Sequence, residues 1–286
     1  MNRLILTHLT EVPQTLIKKI IEQYRVNSPT ALSLKTIDFQ LDEPCNANLK
    51  KEIQQLAFQF GTDTIFLKDT FDHHQIRLLA FDMDSTLINI ECIDEIARQC
   101  GKVEEVSKIT EASMRGEIKN FSESLIARVR LLKGVPASDL DIVYQERLQL
   151  NPGAKNLIQA AHVMGWKTLL VSGGFTFFTS KIKDLLQLDE AHSNTLEIID
   201  GYLTGNVIGP IVDGAAKANF VKAACERLGL STQAALVMGD GSNDLPMMEN
   251  AGLSIGYKPK PIVQEKADGT FQFVGLDGVL DLFQIN

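Results

Sequence analysis

Apolar and polar positions fall into two regimes along the chain. Over the first 75 residues the apolar stretches are short and of mixed period. LILTHL reads as a strand, and Leu16, Ile17, Ile20, Ile21 and Tyr24 recur at helical spacing, with Thr10 placed to cap that helix. IDFQL alternates as a half-buried strand does, Leu49, Ile53, Leu56 and Phe60 mark a second amphipathic helix, and TIFL supplies another strand. Residues 1–75 therefore predict a small α+β module that ends in the polar stretch DTFDHHQ as a linker. His73 and His74 in that stretch read as solvated, since a zinc site needs further ligands than two adjacent histidines.

From residue 76 the pattern becomes strand–helix alternation. RLLAFD, KTLLVSGG and AALVMGDG are near-continuous apolar runs, the mark of parallel strands buried on both faces, and each ends in a polar or glycine-rich turn. SNTLEIIDGYLTGNVIG, with Asp200-Gly201 and Thr204-Gly205, reads as a β-hairpin. Residues 90 to 150 are almost entirely helix-forming, too many for one crossover, and predict a helical cap over the sheet. The expected fold for 76–286 is α/β: a Rossmann-like, mainly parallel sheet with that cap inserted.

Composition narrows the function. The 286 residues exceed one average domain, and 44% hydrophobic with 22% charged residues is ordinary for a globular chain with a large core. A net charge of −8 argues against nucleic acid as a partner. No apolar run approaches the roughly 20 residues of a membrane span, and the N-terminus does not read as a signal peptide. Cys45, Cys92, Cys100 and Cys225 form no C-x-x-C pair, which fits a reduced, cytoplasmic setting. Cys92 and Cys100 fit helix packing better than reactivity.

In an open parallel sheet, ligands bind beyond the carboxyl ends of the strands. Those ends carry Asp82 and Asp84, then Ser172 with Gly173 and Gly174, then Asp240 with Asn243 and Asp244. Helix starts after such turns favour an anion. Carboxylates and an anion in one crevice repel unless a divalent cation lies between them, and Mg²⁺, which binds through carboxylates, waters and a phosphate, suits. One of Asp82 and Asp84 could attack phosphorus and the other move the proton. Lys217, at the start of another helix, could neutralise phosphate charge. Each motif alone is commonplace: Asp-x-Asp and Ser-Gly-Gly are frequent turn and cap sequences. Their occurrence together, in order and at strand ends, supplies what phosphoryl transfer needs.

DMDST, VSGG, a lysine and GDGSND resemble the four motifs of the haloacid dehalogenase-like phosphohydrolases, over residues 77 to the C-terminus. Within that superfamily DMDSTLINIECIDEIA and SMRGEIKNFSESLIARVRLLKG are similar to the members that hydrolyse O-phospho-L-serine, the last step of serine biosynthesis. The resemblance implies Asp82 as nucleophile and Asp84 as general acid/base. It also implies Mg²⁺ held by Asp82, the backbone carbonyl of Asp84 and Asp240, and phosphate cradled by Ser172, the Gly173 amide, Lys217 and Asn243. Asp244 would orient Lys217 or the metal ligands. In the cap, Glu91 would meet the substrate ammonium and Arg128 its carboxylate, with Met114 and Phe121 excluding water. The stretch from Met114 to Phe121 is one residue longer than the family pattern. Some bacterial members carry an ACT-like regulatory module where this chain has residues 1–75, a segment that could sense an amino acid or form a homodimer. Two rivals remain: a phosphatase or phosphotransferase for another small metabolite, and a receiver-like domain that stores phosphate on Asp82.

Overall fold

The computed structural model of the chain describes residues 2–27, 29–68, 71–114 and 120–283. The N-terminal elements run β1 (Arg3–His8), α1 (Gln14–Gln23), β2 (Thr30–Ala31), β3 (Thr36–Gln40), α2 (Ala47–Gln59) and β4 (Thr62–Leu67). Their spatial order is β2-β3-β1-β4 with every neighbour antiparallel, a ferredoxin-like arrangement. Leu4, Leu6, Phe39 and Phe66 face α1 and α2 in one core, whereas Ile5, Ile65 and Leu67 point the opposite way into the main core of the chain. Burial on both faces is why Leu4, Ile5 and Leu6 read as unbroken apolar sequence. Thr10 does not cap α1. Pro13, with its fixed φ, precedes the first helical residue, and Thr10 instead bonds to the His8 ring through its backbone N–H and hydroxyl.

Downstream come β5 (Leu78–Phe81), the helices α3 (Cys92–Gln99), α4 (Val103–Met114), α5 (Phe121–Leu131), α6 (Ser138–Glu146) and α7 (Ala154–Val163), and then β6 (Lys167–Phe175) and α8 (Thr176–Leu186). They are followed by β7 (Glu190–Ile199), β8 (Tyr202–Ile208), α9 (Gly214–Arg227), β9 (Ala235–Gly239), α10 (Leu245–Met248), β10 (Leu253–Tyr257), α11 (Pro261–Lys266) and β11 (Gly269–Phe271). β7 and β8 form the expected hairpin, with Ile199 opposite Tyr202 and both turn residues at positive φ, 51° for Asp200 and 81° for Gly201.

One sheet runs β2-β3-β1-β4-β11-β10-β9-β5-β6-β7-β8. From β11 to β7 its neighbours are parallel. β4 joins this block antiparallel, pairing Ile65 with Gly269 and Thr64 with Thr270. The buried Asp63 carboxylate takes the backbone N–H groups of Gln272, Phe273 and Val274 at 2.8–2.9 Å, and the hydroxyls of Ser33 and Thr36 donate to Asp281. β5 lies between β9 and β6, where the chain reverses direction of travel across the sheet. A crevice opens there, at the carboxyl end of β5.

Candidate active site

After β5 the chain cannot continue as a strand. Asp84 sits at φ −64°, ψ 135° and Ser85 at φ 57°, a left-handed position that turns the backbone sharply. That turn leaves Asp82 and Asp84 buried at the strand mouth, 4% and 9% exposed. Asp84 accepts from the backbone N–H of Cys92, at the start of α3, at 3.0 Å, and from the Ser172 hydroxyl at 3.4 Å. The Ser172 oxygen in turn accepts from the Gly174 N–H at 2.8 Å. A Cβ on Gly174 would lie 2.5 Å from Asp84 Oδ2, and one on Gly173 would lie 2.6 Å from the Phe121 ring. Both glycines are therefore required by close approach.

Lys217, in the first turns of α9, has no exposed side-chain surface. Its ammonium donates to Asp82 Oδ1 at 2.6 Å and to Asp244 Oδ1 at 2.7 Å. The other Asp244 oxygen accepts from the N–H groups of Asp240 and Gly241, each at 3.0 Å, so this one carboxylate shapes the GDGSND turn and holds the lysine. Burial works against the Lys217 charge, but Asp244 and Asp82 raise its pKa above the ordinary value.

The carboxylates outnumber the fully buried cation. Burial, reinforced by Asp244, pushes Asp82 well above the usual carboxylate range despite Lys217. Burial and then Glu91 push Asp84 up to about 7, and burial pushes Asp240 up to about 6 against the pull of Lys260. Such shifts reverse when a cation joins the cluster. Asp82, Asp240 and Asp244 can each bring a carboxylate oxygen within 4.8 Å of the others, an all-oxygen donor set that fits a hard divalent metal ion. Both Asp244 oxygens already serve donors, which leaves Asp82 and Asp240 the freer ligands.

A cavity of about 400 Å³ brings together Asp82, Asp84, Glu91, Arg128, Gly173, Asp240 and Asn243. Ser172, Lys217 and Asp244 lie directly behind its wall through the bonds above. Ser85 donates to Glu91 Oε1 at 2.8 Å and fixes that carboxylate at the start of α3. On α5, burial lowers the Arg128 pKa while Glu91 and Asp94 oppose the shift. Its Nε donates to the Ser124 carbonyl at 3.3 Å, and among the described residues no carboxylate lies within ion-pair distance of its guanidinium. Phe121 closes the roof. Met114 ends α4, but its side chain and residues 115–119, where the extra residue falls, lie outside the described residues.

Two charged cavity residues escaped sequence reasoning. Asp94, in the first turn of α3, lies three residues after its N-cap Glu91, a spacing that could have flagged it. Lys260 follows β10 in the run KPKP, and its ammonium reaches Asp240 Oδ2 at 3.4 Å. Cys92 is buried and all four cysteines are free, in keeping with packing roles. No helix among the described residues is long and apolar enough to cross a membrane.

A family described as haloacid dehalogenase-like hydrolase matches residues 76–252. A phosphoserine phosphatase of Polaromonas sp. (strain JS666) is 54% identical over 210 residues, covering 72% of this chain and 89% of that one. The crystal structure of a haloacid dehalogenase family hydrolase from Salmonella enterica serovar Typhi superposes with a TM-score of 0.85 at 32% identity, over 98% of this chain and 97% of its own. That of a probable phosphoserine phosphatase from Vibrio cholerae superposes with a TM-score of 0.79 at 33% identity, over 98% and 85%. The match thus extends through the N-terminal strands as well as the parallel sheet. With relatives this similar and acids at these strand ends, the chain belongs to the haloacid dehalogenase-like hydrolases, in their phosphoserine phosphatase branch.

Proposed function

We propose that the chain is a phosphoric monoester hydrolase that converts O-phospho-L-serine to L-serine and phosphate through a phosphoryl group carried on Asp82. The observation that carries this reading is the cavity itself. Buried acids and a buried lysine meet at one end, and Glu91 and Arg128 stand on the cap side with opposite charges for a zwitterion.

Lys217 holds Asp82 through Oδ1, leaving the second oxygen to attack phosphorus. As that bond forms, the ester oxygen–phosphorus bond breaks and the Asp84 proton passes to the serine oxygen. Asp84, buried at the strand mouth and bonded to the Cys92 N–H and the Ser172 hydroxyl, is placed to give that proton in the first half-reaction and to take one back in the second. Water then attacks the phosphoryl group, gives its proton to Asp84, and releases phosphate from Asp82. Ser172, the Gly173 amide, Asn243 and Lys217 cradle the phosphoryl oxygens, and Asp244 orients Lys217. Mg²⁺ bound by Asp82, Asp240 and the Asp84 carbonyl would neutralise charge building on those oxygens. Arg128 forks onto the substrate carboxylate and Glu91 takes the ammonium, with Phe121 excluding water. Free cysteines support a cytoplasmic setting, where serine biosynthesis would use this activity.

Phosphate release from a panel of small phosphate monoesters, with and without Mg²⁺, tests the reading. Strong preference for L-phosphoserine, lost without metal and abolished in Asp82→Asn, is the expected result. Equal turnover of all esters would overturn the cap assignment, and full turnover by Asp82→Asn would overturn the nucleophile.

A further inference from the structure

We propose that Lys260 is a positioning residue of this site, and that the N-terminal module holds it in place through Lys50. The proposal rests on the phosphatase reading of the cavity and adds to it a mechanical link between the first 67 residues and Asp240.

Lys260 grips Asp240 at two points. Its backbone N–H donates to the Asp240 carbonyl at 2.9 Å, and its ammonium meets the Asp240 carboxylate at 3.4 Å. The segment that presents it is stiff. Pro259 and Pro261 flank it and fix their own φ, and Lys260 takes the extended backbone that a following proline demands, φ −63°, ψ 153°. Lys258 is held at φ 42° with its N–H on the Phe271 carbonyl at 2.7 Å. A Cβ on Gly256 would lie 2.8 Å from Pro259, so the proline is pressed onto β10.

The far end of α11 is anchored by the module. Lys50 of α2 is only 8% exposed, and its ammonium donates to the backbone carbonyls of Glu265, at 3.0 Å, and Ala267. Gln54, one turn on, donates to the Gln264 carbonyl at 3.4 Å. These carbonyls lie at the end of a helix, where intrahelical donors run out. Among the described residues no carboxylate lies within ion-pair distance of Lys50, so its nearly buried charge is given over to main-chain carbonyls. α11 has six residues, about 9 Å of helix, and transmits displacement at its clamped end to Lys260. Releasing Lys50 removes two bonds from the C-terminal end of α11, which the Asp268–Ser254 bonds still tether, and loosens the grip on Asp240.

The test is a double-mutant cycle on the full chain. Lys260→Met is expected to lower kcat/KM by about tenfold, mainly in kcat and equally for phosphoserine and other esters, because Asp240 serves the phosphate end. Lys50→Met is expected to lower it by about fivefold with Lys260 present and by less than about twofold in the Lys260→Met background, with Lys50→Arg retaining most activity. Amide exchange over residues 258–267 should quicken in Lys50→Met while residues 78–84 stay protected. A Lys50→Met loss of the same size in both backgrounds would mark general destabilisation and overturn the proposal, as would unchanged exchange over 258–267. Should the wild-type chain release phosphate from no ester, the phosphatase reading falls, and the exchange comparison still decides whether Lys50 braces the segment.

Discussion

Replacing Asp244 by Asn changes one atom and sets an impossible choice. Asp244 is fully buried and accepts on both oxygens: from Lys217 on Oδ1, and from the Asp240 and Gly241 N–H groups on Oδ2. Asn has one acceptor and one donor. With its oxygen toward the two N–H groups, its NH₂ faces an ammonium that has lost its closest partner but Asp82. Flipped, it leaves two buried N–H groups unpaired. Leaving a buried donor unsatisfied costs about 1–3 kcal/mol, and a hydrogen bond to a charged group is worth about 1.5–3 kcal/mol. The cheaper orientation therefore loses about 3 kcal/mol, and at about 2 °C per kcal/mol for a chain of this size the melting temperature falls by about 6 °C. On the proposed mechanism Lys217, free to swing from Asp82, would no longer meet the phosphoryl group squarely, and kcat should fall by about 10²-fold. Thermal unfolding and steady-state phosphate release with L-phosphoserine measure the two effects. A variant within 1 °C of wild type, at about full kcat, would refute the two-sided acceptor role of Asp244.

Gly174→Ala places a methyl 2.5 Å from Asp84 Oδ2 and 3.0 Å from Ser172 Oγ; kcat should drop by about 10²-fold, and an unchanged kcat would show that Asp84 has room to move. Arg128→Ala and Glu91→Gln should each cost about 10- to 100-fold in kcat/KM for phosphoserine while sparing esters that lack the amino-acid end, as competition assays would show. Burial lifts Asp63 to about 6 against three backbone N–H donors, so the folded chain binds that proton more tightly than the unfolded one. Its contribution to stability is fully present below the unfolded pKa near 3.8 and is lost as pH rises through about 6. Between pH 7 and pH 5 the wild type should therefore gain about 1.3 kcal/mol over Asp63→Asn in denaturant unfolding. Parallel pH profiles would contradict the shift.

The acids of the site are legible because buried parallel strands read as continuous apolar runs, and the residues just past them must lie at one edge of the sheet. Asp82, Ser172 and Asp240 each follow such a run. The hairpin is equally plain, since Asp200-Gly201 is one of few dipeptides at ease with positive φ at both positions. Thr10 misleads because a capping residue is recognised by type, whereas the start of α1 is set by Pro13. β10 and β11 are short, and Gly256 and Gly269 interrupt their apolar pattern. The pairing of β4 with β11 joins distant segments, which no local periodicity encodes. Lys260 is silent for a related reason: a lysine beyond a strand end looks like any solvated charge until Asp240 is seen beneath it.

The join between β4 and β11 also dictates an order of events at the ribosome. Ile65 is translated long before its partner Gly269, and at about 5–20 residues per second the interval is roughly 10–40 s. For that time β4 is the open border of a nascent sheet, the kind of surface on which stray chains aggregate. Asp63 places a carboxylate on that border, and a charge there discourages a foreign strand. When residues 272–274 emerge, the same carboxylate receives the N–H groups of Gln272, Phe273 and Val274 and becomes the latch. Asp240 and Lys260 emerge only shortly before this closure, so a growing polypeptide acquires its chemistry and its latch almost together, long after β4.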